Sequence, residues 1–464
     1  MAKLPADLQQ HLREHGQEHV LAWWDDLPEG ERAALQEQLR AVDLPLLRRL
    51  YGERHKRFAL PPADKIKPVP VIRRDADVTA ARRLGTQALD RGEVAALVVA
   101  GGQGTRLGFD HPKGMFPVGP VSRKPLFQVH AEKVLALRRR HGKPIPFLVM
   151  TSDATDDETR QFFATHRCFG LSPDEVCFFR QGTMPAVDLA TGKLLLESPG
   201  RLCLSPNGHG GTLTALTESG LLDRLRGQGV RHIFYYQVDN PLVKIADAVF
   251  LGHHIGAEAE ASSKIVPKRG PLEKVGHLVQ VDGRCMILEY SDLTEEQLKA
   301  TDEGGQLRLW AGNPAIHIFS VEFLARITQG ETRLPFHIAR KKVPHIDAAG
   351  NPVKPEQENA LKFEMFVFDA LPMAQRWTVV ETDRREEFEP LKNATGDDSP
   401  ASVARAIGNL AADWLTQAGV NVPRDQQGNV AFPLEISPLY ALDAAELATK
   451  VDRKMRIEGP TYLG

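Results

Sequence analysis

"VAALVVAGGQGTRLGFDHPKG", residues 94–114, is the stretch on which the fold reading turns. A continuous apolar run drives into glycines, then an arginine, then Pro-Lys-Gly. Such a run suits a strand buried on both faces, as in parallel sheets covered by helices. The glycines that follow let backbone N–H groups approach an anion closely and form a nest for phosphate oxygens. Dinucleotide cofactors, nucleoside triphosphates and sugar nucleotides all use turns of this kind, and each implies different chemistry.

The dinucleotide fingerprint requires G-x-G-x-x-G, but from Gly102 the chain reads G-Q-G-T-R-L, with Leu107 in the place of the third glycine. No acidic residue ends a second strand about twenty residues on, where the chain reads "PLFQVHAEKV". The P-loop pattern fails too, because no G-K-[ST] follows. What remains is G-G-x-G-T-R-L-G, with Lys113 seven residues after Arg106. Glycines alone read as a tight strand-to-helix turn with a surface Arg and Lys. Two cations beside a backbone nest point instead to phosphoryl or nucleotidyl transfer, where phosphate charge has to be offset.

Outward from this loop, "PIPFLVMTSD" (144–153), "DEVCFFRQG" (174–182) and "RHIFYYQVDN" (231–240) are further short apolar runs. Between them lie helical patterns, "KPLFQVHAEKVLALRRRHG" and "DDETRQFFATHRCFG", the second with acidic residues in its first turn. Strands alternating with helices predict a doubly wound α/β sheet, mostly parallel and Rossmann-like, with ligands at the carboxyl ends of its strands. Residues 5–60 read as helical, with Leu8, Leu12, Val20, Leu21, Trp24, Leu35, Leu39 and Val42 at three- and four-residue steps. "ALPPADKIKPVPVIRRD" (59–75) reads as a connection over the surface. The tail opens as a helix at 393–415 and continues as short strands with turns at 421–440. Three regions are therefore expected: helical 1–76, a central nucleotide-binding domain 77–394, and a small C-terminal domain 395–464.

The chain has 464 residues, 42% apolar and 25% charged, with a formal net charge of −2, which gives no electrostatic basis for nucleic acid or an anionic membrane as the main partner. Four cysteines without C-x-x-C spacing read as free thiols in a reducing cytoplasm. The polar start is no signal peptide, and no apolar run reaches membrane-spanning length.

"AGGQGTRLG…PKGMFPVG" resembles the signature of the UDP-sugar pyrophosphorylases, which join UTP and a sugar 1-phosphate. "PVSRKPLFQVHAEKV", "FFRQGTMPA", "PNGHGG", "QVDNPLVKIAD", "ILEYSDL", "AGNPAIHIFS", "KKVPHIDAAGNPVKP", "NALKFEMFVFDALP", "REEFEPLKNATG" and "LEISPL" are similar to the UDP-N-acetylhexosamine branch and follow in order from about 97 to 440. The resemblance implies a nucleotidyltransferase with a GT-A-like central sheet and a β-rich C-terminal domain. It implies that UTP is held by the backbone of Val99, Ala100, Gly101 and Gly102, with Arg106 and Lys113 on the triphosphate. Gln181 and Gly208 would contact uracil. Asp239 would face the phosphates and a Mg²⁺ ion. Glu289 and Asn313 would bind sugar hydroxyls, and Lys362 and Lys392 would engage the phosphates during transfer. The implied partners are UTP, the sugar 1-phosphate and pyrophosphate, with no nucleic acid and no membrane, and the implied state is a monomer in the cytoplasm.

Each residue also has a plainer reading. Gln181 could cap its strand, although buried uracil calls for the donor and acceptor of an amide. Asp239 could form a turn, Glu289 and Asn313 could be surface polar residues, and Lys362 and Lys392 solvated lysines. His317, between apolar neighbours, reads as a hydrogen-bonded core histidine, and Phe363, Phe366 and Phe368 as core. Departures from the branch pattern bear on the sugar. His209 stands where the N-acetylhexosamine branch has Asn, Pro314 and Ile316 depart from the branch pattern just after Asn313, and Met365 replaces a frequent lysine. N-acetylglucosamine 1-phosphate is the expected acceptor; a glucose-type or broad-specificity pyrophosphorylase and a non-catalytic nucleotide-sugar binder are the competing readings.

Overall fold

Every residue of Val94–Val99 is buried, as a strand covered on both faces requires. The computed structural model describes residues 4–56, 60–330 and 334–464. Among them, eleven strands join in one sheet. In chain order they are β1 (Ile66–Pro68), β2 (Val94–Val99), β3 (Phe147–Thr151), β4 (Val176–Arg180), β5 (His232–Gln237) and β6 (Ala261–Pro267), then β7 (His277–Val281), β8 (Arg284–Leu288), β9 (Ala311–Gly312), β10 (His317–Ser320) and β11 (Trp377–Glu381). Their order in space is β1–β7–β9–β6–β10–β5–β2–β3–β4, with β8 on β7 and β11 on β6.

The strands predicted from the four apolar runs are β2, β3, β4 and β5, and they pair in parallel with one another. Parallel neighbours need crossover connections, here the helices Leu126–His141 and Asp156–Thr165. The second opens with Asp156, Asp157 and Glu158 in its first turn, where carboxylates offset the positive end of the helix. Beyond β5 the sheet changes character. β10 runs antiparallel to both β5 and β6, and β11 returns parallel to β6.

The stretch 59–75 is more than a surface connection. Its residues 66–68 form β1, antiparallel to β7, and Ile72 bridges to Val380. Ile66 and Val69 are buried, and Pro68 between them is tolerated because β1 lies at the end of the sheet. Residues 57–59 lie outside the described residues.

The chain divides into two compact units. One comprises residues 1–60, 181–214 and 334–369; the other, which holds the sheet, comprises 61–180, 215–333 and 370–464. In the first unit, Leu8, Leu12, Val20, Trp24, Leu35 and Leu39 of the helical start share a core with Val187, Leu196, Leu202, Leu361 and Phe363. In the second, residues from 411 on have a core of their own around Leu415, Leu434, Leu447 and Ile457. This tail carries the helices Pro400–Gln417 and Ala444–Lys450 and one pair of three-residue strands, Leu434–Ile436 and Thr461–Leu463. The polar run around Asp425–Asn429 closes a turn, with Asp425 N–H donating to Asn429 O at 2.8 Å and Arg424 bridging to Val430 on either side of it.

Candidate functional site

At the carboxyl end of β2 the chain turns into a loop that folds on itself. Ala100 N–H still pairs with Met150 O at 2.8 Å, while Ser152 Oγ donates to Gly101 O at 2.8 Å. Lys113 N–H then closes on Gly102 O at 3.0 Å, and Gly104 N–H on His111 O at 2.9 Å. The side chains of Val99 and Ala100 are buried, so only backbone is presented at that point. The glycines have two different reasons to be there. A Cβ on Gly114 would sit 2.2 Å from the Phe127 ring, so packing forbids it. A Cβ on Gly102 would meet nothing within 4 Å, and its φ is not in the left-handed region. Neither sterics nor φ demands glycine at 102, which points to close approach by a ligand. Arg106 is exposed on the turn Thr105–Leu107.

Lys113 reaches from this loop to the end of β5. Its Nζ lies 3.5 Å from Asp239 Oδ2 and 3.4 Å from Leu391 O, and Leu391 N–H donates to Asp239 O at 2.8 Å. Lys392 follows directly, with its N–H on Asp398 O at 2.6 Å and its Nζ 3.9 Å from Asp398 Oδ2. Burial raises the Asp398 pKa, with Glu389 and Asp239 adding to the rise and Lys392 and Arg269 opposing it. The structure thus brings Lys113, Asp239 and Lys392 together around the carboxyl end of a central strand, where open α/β sheets bind ligands.

Glu289 and Asn313 meet through Gly276. Asn313 N–H donates to Gly276 O at 2.9 Å, and a Cβ on Gly276 would sit 2.9 Å from Glu289 Oε1. Asn313 Oδ1 accepts the Ala315 N–H at 2.9 Å, which fixes the amide and leaves its NH₂ face for other partners. Pro314 and Ile316 are buried, so these departures lie in the packing beneath Asn313. His317 is fully buried and pairs with Ser263 Oγ at 2.8 Å, as a core histidine.

Gln181, Gly208, His209 and Lys362 belong to the other unit. Gln181 is buried. Gly208 has φ +84°, and a Cβ there would meet Met365 O at 2.3 Å, so only glycine fits. Met365 itself is buried, its N–H on Asn207 O at 2.7 Å and its O taking the Gly210 N–H at 2.8 Å. His209 packs against Phe366 and Phe368, ring centroids 5.3 and 5.5 Å away, and those two rings stack on each other at 5.0 Å; the His209 Nδ1 accepts the Val367 N–H at 3.1 Å. Phe363 and Phe368 are buried, as core residues are, whereas Phe366 is half-buried beside His209. Burial, with the His337 charge second, lowers the His209 pKa to about 4. The imidazole is neutral with its proton on Nε2. Lys362 lies on the strand Ala360–Glu364, opposite Ala339.

For a hard divalent cation, the fitting donor is the Asp239 carboxylate, 17% exposed. Among the described residues no group of three or more His, Cys, Asp or Glu could hold a metal. One carboxylate suits Mg²⁺, which keeps waters and takes its other oxygens from substrate phosphates.

The sequence reading passed over two sets of residues. Asn207 Oδ1, Thr212 Oγ1 and Ser205 Oγ are buried around the 206–211 turn with no hydrogen-bond partner among the described residues, which marks them as ligand-facing candidates. The second set is the ion network behind Asp239, led by Lys264 and Glu387. A lysine written into an apolar strand, "ASSKIVP", was the available signal.

Residues 51–454 match the profile of the UTP–glucose-1-phosphate uridylyltransferase family. The chain is 40% identical over 350 residues to the UDP-N-acetylglucosamine pyrophosphorylase of Saccharomyces cerevisiae, covering 73% of each chain. It is 39% identical over 437 residues to the human UDP-N-acetylhexosamine pyrophosphorylase-like protein 1, covering 89% of this chain and 86% of that one. The solved UDP-N-acetylglucosamine pyrophosphorylase of Trypanosoma brucei, in complex with an inhibitor, superposes with a TM-score of 0.82 at 29% identity, covering 100% of this chain and 99% of that one. No helix among the described residues is long and apolar enough to cross a membrane.

Proposed function

This chain belongs to the UDP-sugar pyrophosphorylase family, in its UDP-N-acetylglucosamine branch, and is a nucleotidyltransferase; on that premise we propose that it joins UTP and N-acetylglucosamine 1-phosphate by direct displacement. The sugar phosphate oxygen attacks the α-phosphorus of UTP, the bond to the β-phosphate breaks, and pyrophosphate leaves with that electron pair. The attacking oxygen is already an anion near neutral pH, so the step needs no general base. Catalysis is then positioning and charge neutralisation.

The observation that carries this reading is Lys113, whose ammonium reaches Asp239 and the Leu391 carbonyl at 3.5 and 3.4 Å, one residue from Lys392. Arg106 and Lys113 hold the triphosphate against the backbone of Val99 to Gly102, and Lys392 offsets charge as the α-phosphorus changes partners. Asp239 would hold Mg²⁺, which when bound would neutralise phosphate charge. Gln181 and Gly208 are the residues proposed for uracil, Lys362 for the phosphates and His209 for the sugar side. Glu289 and Asn313 take sugar hydroxyls. The buried free thiols support a reducing cytoplasm. A monomer is the proposed state.

His209 favours a second reading, transfer to unmodified hexose 1-phosphates, because an imidazole packed against two stacked phenylalanines is bulkier than a carboxamide. Pyrophosphate release from UTP with glucose, galactose and N-acetylglucosamine 1-phosphates tests both. The N-acetyl acceptor should be fastest. Faster release with glucose 1-phosphate would move the assignment to the second reading, and no release with any acceptor would overturn the proposal.

A further inference from the structure

Behind Asp239 lies a set of buried ions that the transfer step does not touch. Lys264, 2% exposed, stands within β6, a strand whose first six residues are all buried. Its Nζ donates to Glu387 Oε1 and Oε2 at 2.7 and 2.6 Å and to Asp247 Oδ2 at 2.8 Å. Glu387 is fully buried and also accepts from Thr382 Oγ1 at 2.6 Å and from the Lys244 N–H at 3.1 Å. Stability does not require such a pair, because well-packed apolar residues of similar volume serve as well or better.

What the network does hold is the backbone that follows β5. Asn240 Nδ2 donates to Glu387 O at 2.8 Å, and Asn240 Oδ1 accepts the Glu389 N–H at 3.3 Å. Lys133 Nζ donates to Pro241 O and Val243 O at 2.5 and 2.8 Å. Two residues past Glu389, Leu391 N–H closes on Asp239 O at 2.8 Å. Two segments far apart in sequence, 239–244 and 387–392, are therefore held in register by the Asn240 side chain, by the Leu391–Asp239 backbone bond and by the Glu387 carboxylate on the Lys244 N–H. Asp239 is on the first and Lys392 on the second.

We propose that Glu387, neutralised by Lys264, is a positioning residue for uridylyl transfer: it touches no substrate and acts by fixing Lys392 relative to Asp239. This rests on the roles given above to those two residues. Glu387→Gln keeps the shape but loses the charge that binds Lys264, Thr382 and Lys244 together. It should lower kcat by about 10- to 100-fold while KM for UTP moves by less than about 3-fold, the pattern of an interaction that matters in the transition state.

The test is a cycle of wild type, Glu387→Gln, Lys392→Ala and the double variant, read by steady-state kinetics with calorimetry for UTP binding. If Glu387 works through Lys392, the double variant should be within about 3-fold of Lys392→Ala, because residues acting as a unit are not additive. A folded Glu387→Gln enzyme of normal kcat, or losses that multiply in the double variant, would overturn the inference. Near-normal turnover of Lys392→Ala would instead remove the role of Lys392 itself, and the inference with it. If Glu387→Gln does not fold, Thr382→Val removes only one hydrogen bond to the same carboxylate. It should show the same kcat-only pattern at about 3- to 10-fold, and unchanged kcat there would equally overturn the inference.

Discussion

The two loops proposed to flank the triphosphate are held by opposite means. The loop 101–116 is shaped by its own backbone hydrogen bonds and by glycines packed against aromatic rings, and its Arg106 is exposed. The segments 239–244 and 387–398 are fixed from behind by Lys264 and Glu387, at 2% and 0% exposure. A phosphate nest must admit close approach, whereas groups that act on developing charge work best when set in place beforehand. The difference fits the proposed roles, binding for the first loop and catalytic positioning for the second. Lys113, which starts on the first and ends on the second, joins them.

Breaking that joint should have the largest effect. Lys113→Ala is expected to lower kcat by about two to three orders of magnitude, with UTP affinity by calorimetry falling far less. An equal loss in both would make Lys113 a binding group only.

Within the first loop, two glycines sharpen the comparison. Gly114→Ala forces the Phe127 ring to move, since the new Cβ would lie 2.2 Å from it. Overpacking of this kind costs about 1–3 kcal/mol, visible as a lower denaturation midpoint. Gly102→Ala meets nothing within 4 Å, so the midpoint should stay put while UTP binding weakens by about tenfold. A stability loss at Gly102 with unchanged UTP affinity would make it a structural glycine like Gly114.

Much of the first loop was legible in the sequence, because strand, nest and cations are adjacent in the chain and their chemistry is local. The four parallel strands were legible for the same reason: uninterrupted apolar runs admit few other environments. Lys113, Asp239 and Lys392 could be named from motifs, but their meeting through Leu391 depends on contacts between residues 113, 239 and 391 that no local pattern records. The second loop's support was missed because its signal is single charges among apolar residues, as at Lys264, which spacing alone does not distinguish from a strand edge. The stretch 59–75 was misjudged because its prolines advertise loop, while Ile66 and Ile72 pair with strands more than two hundred residues away.

Acid should attack the supports of both units. Burial lowers the pKa of His130 to about 3, and those of His209, His232 and His277 to about 4. His130 donates from Nε2 to Val238 O at 2.9 Å, directly behind Asp239. Each of these groups is neutral in the folded chain at pH values where the unfolded chain, near 6.5, has taken a proton. Unfolding therefore takes up protons, and stability present above about pH 6.5 is lost as pH falls towards 4. Tm should drop steadily between pH 7 and 5, and a flat profile would contradict the buried, neutral state. The smallest expected effect is on selectivity. His209→Asn should raise the kcat/KM ratio of N-acetylglucosamine 1-phosphate over glucose 1-phosphate by about 3- to 10-fold, or about 1 kcal/mol. An unchanged ratio would remove His209 from acceptor choice.

The proposed reaction is one displacement at the α-phosphorus, with no side chain as nucleophile and no base. The stereochemical course with UTP made chiral at that phosphorus tests it most directly. A single in-line displacement should give UDP-sugar with inverted configuration. Retention would require a covalent uridylyl-enzyme and would contradict direct attack by the sugar phosphate.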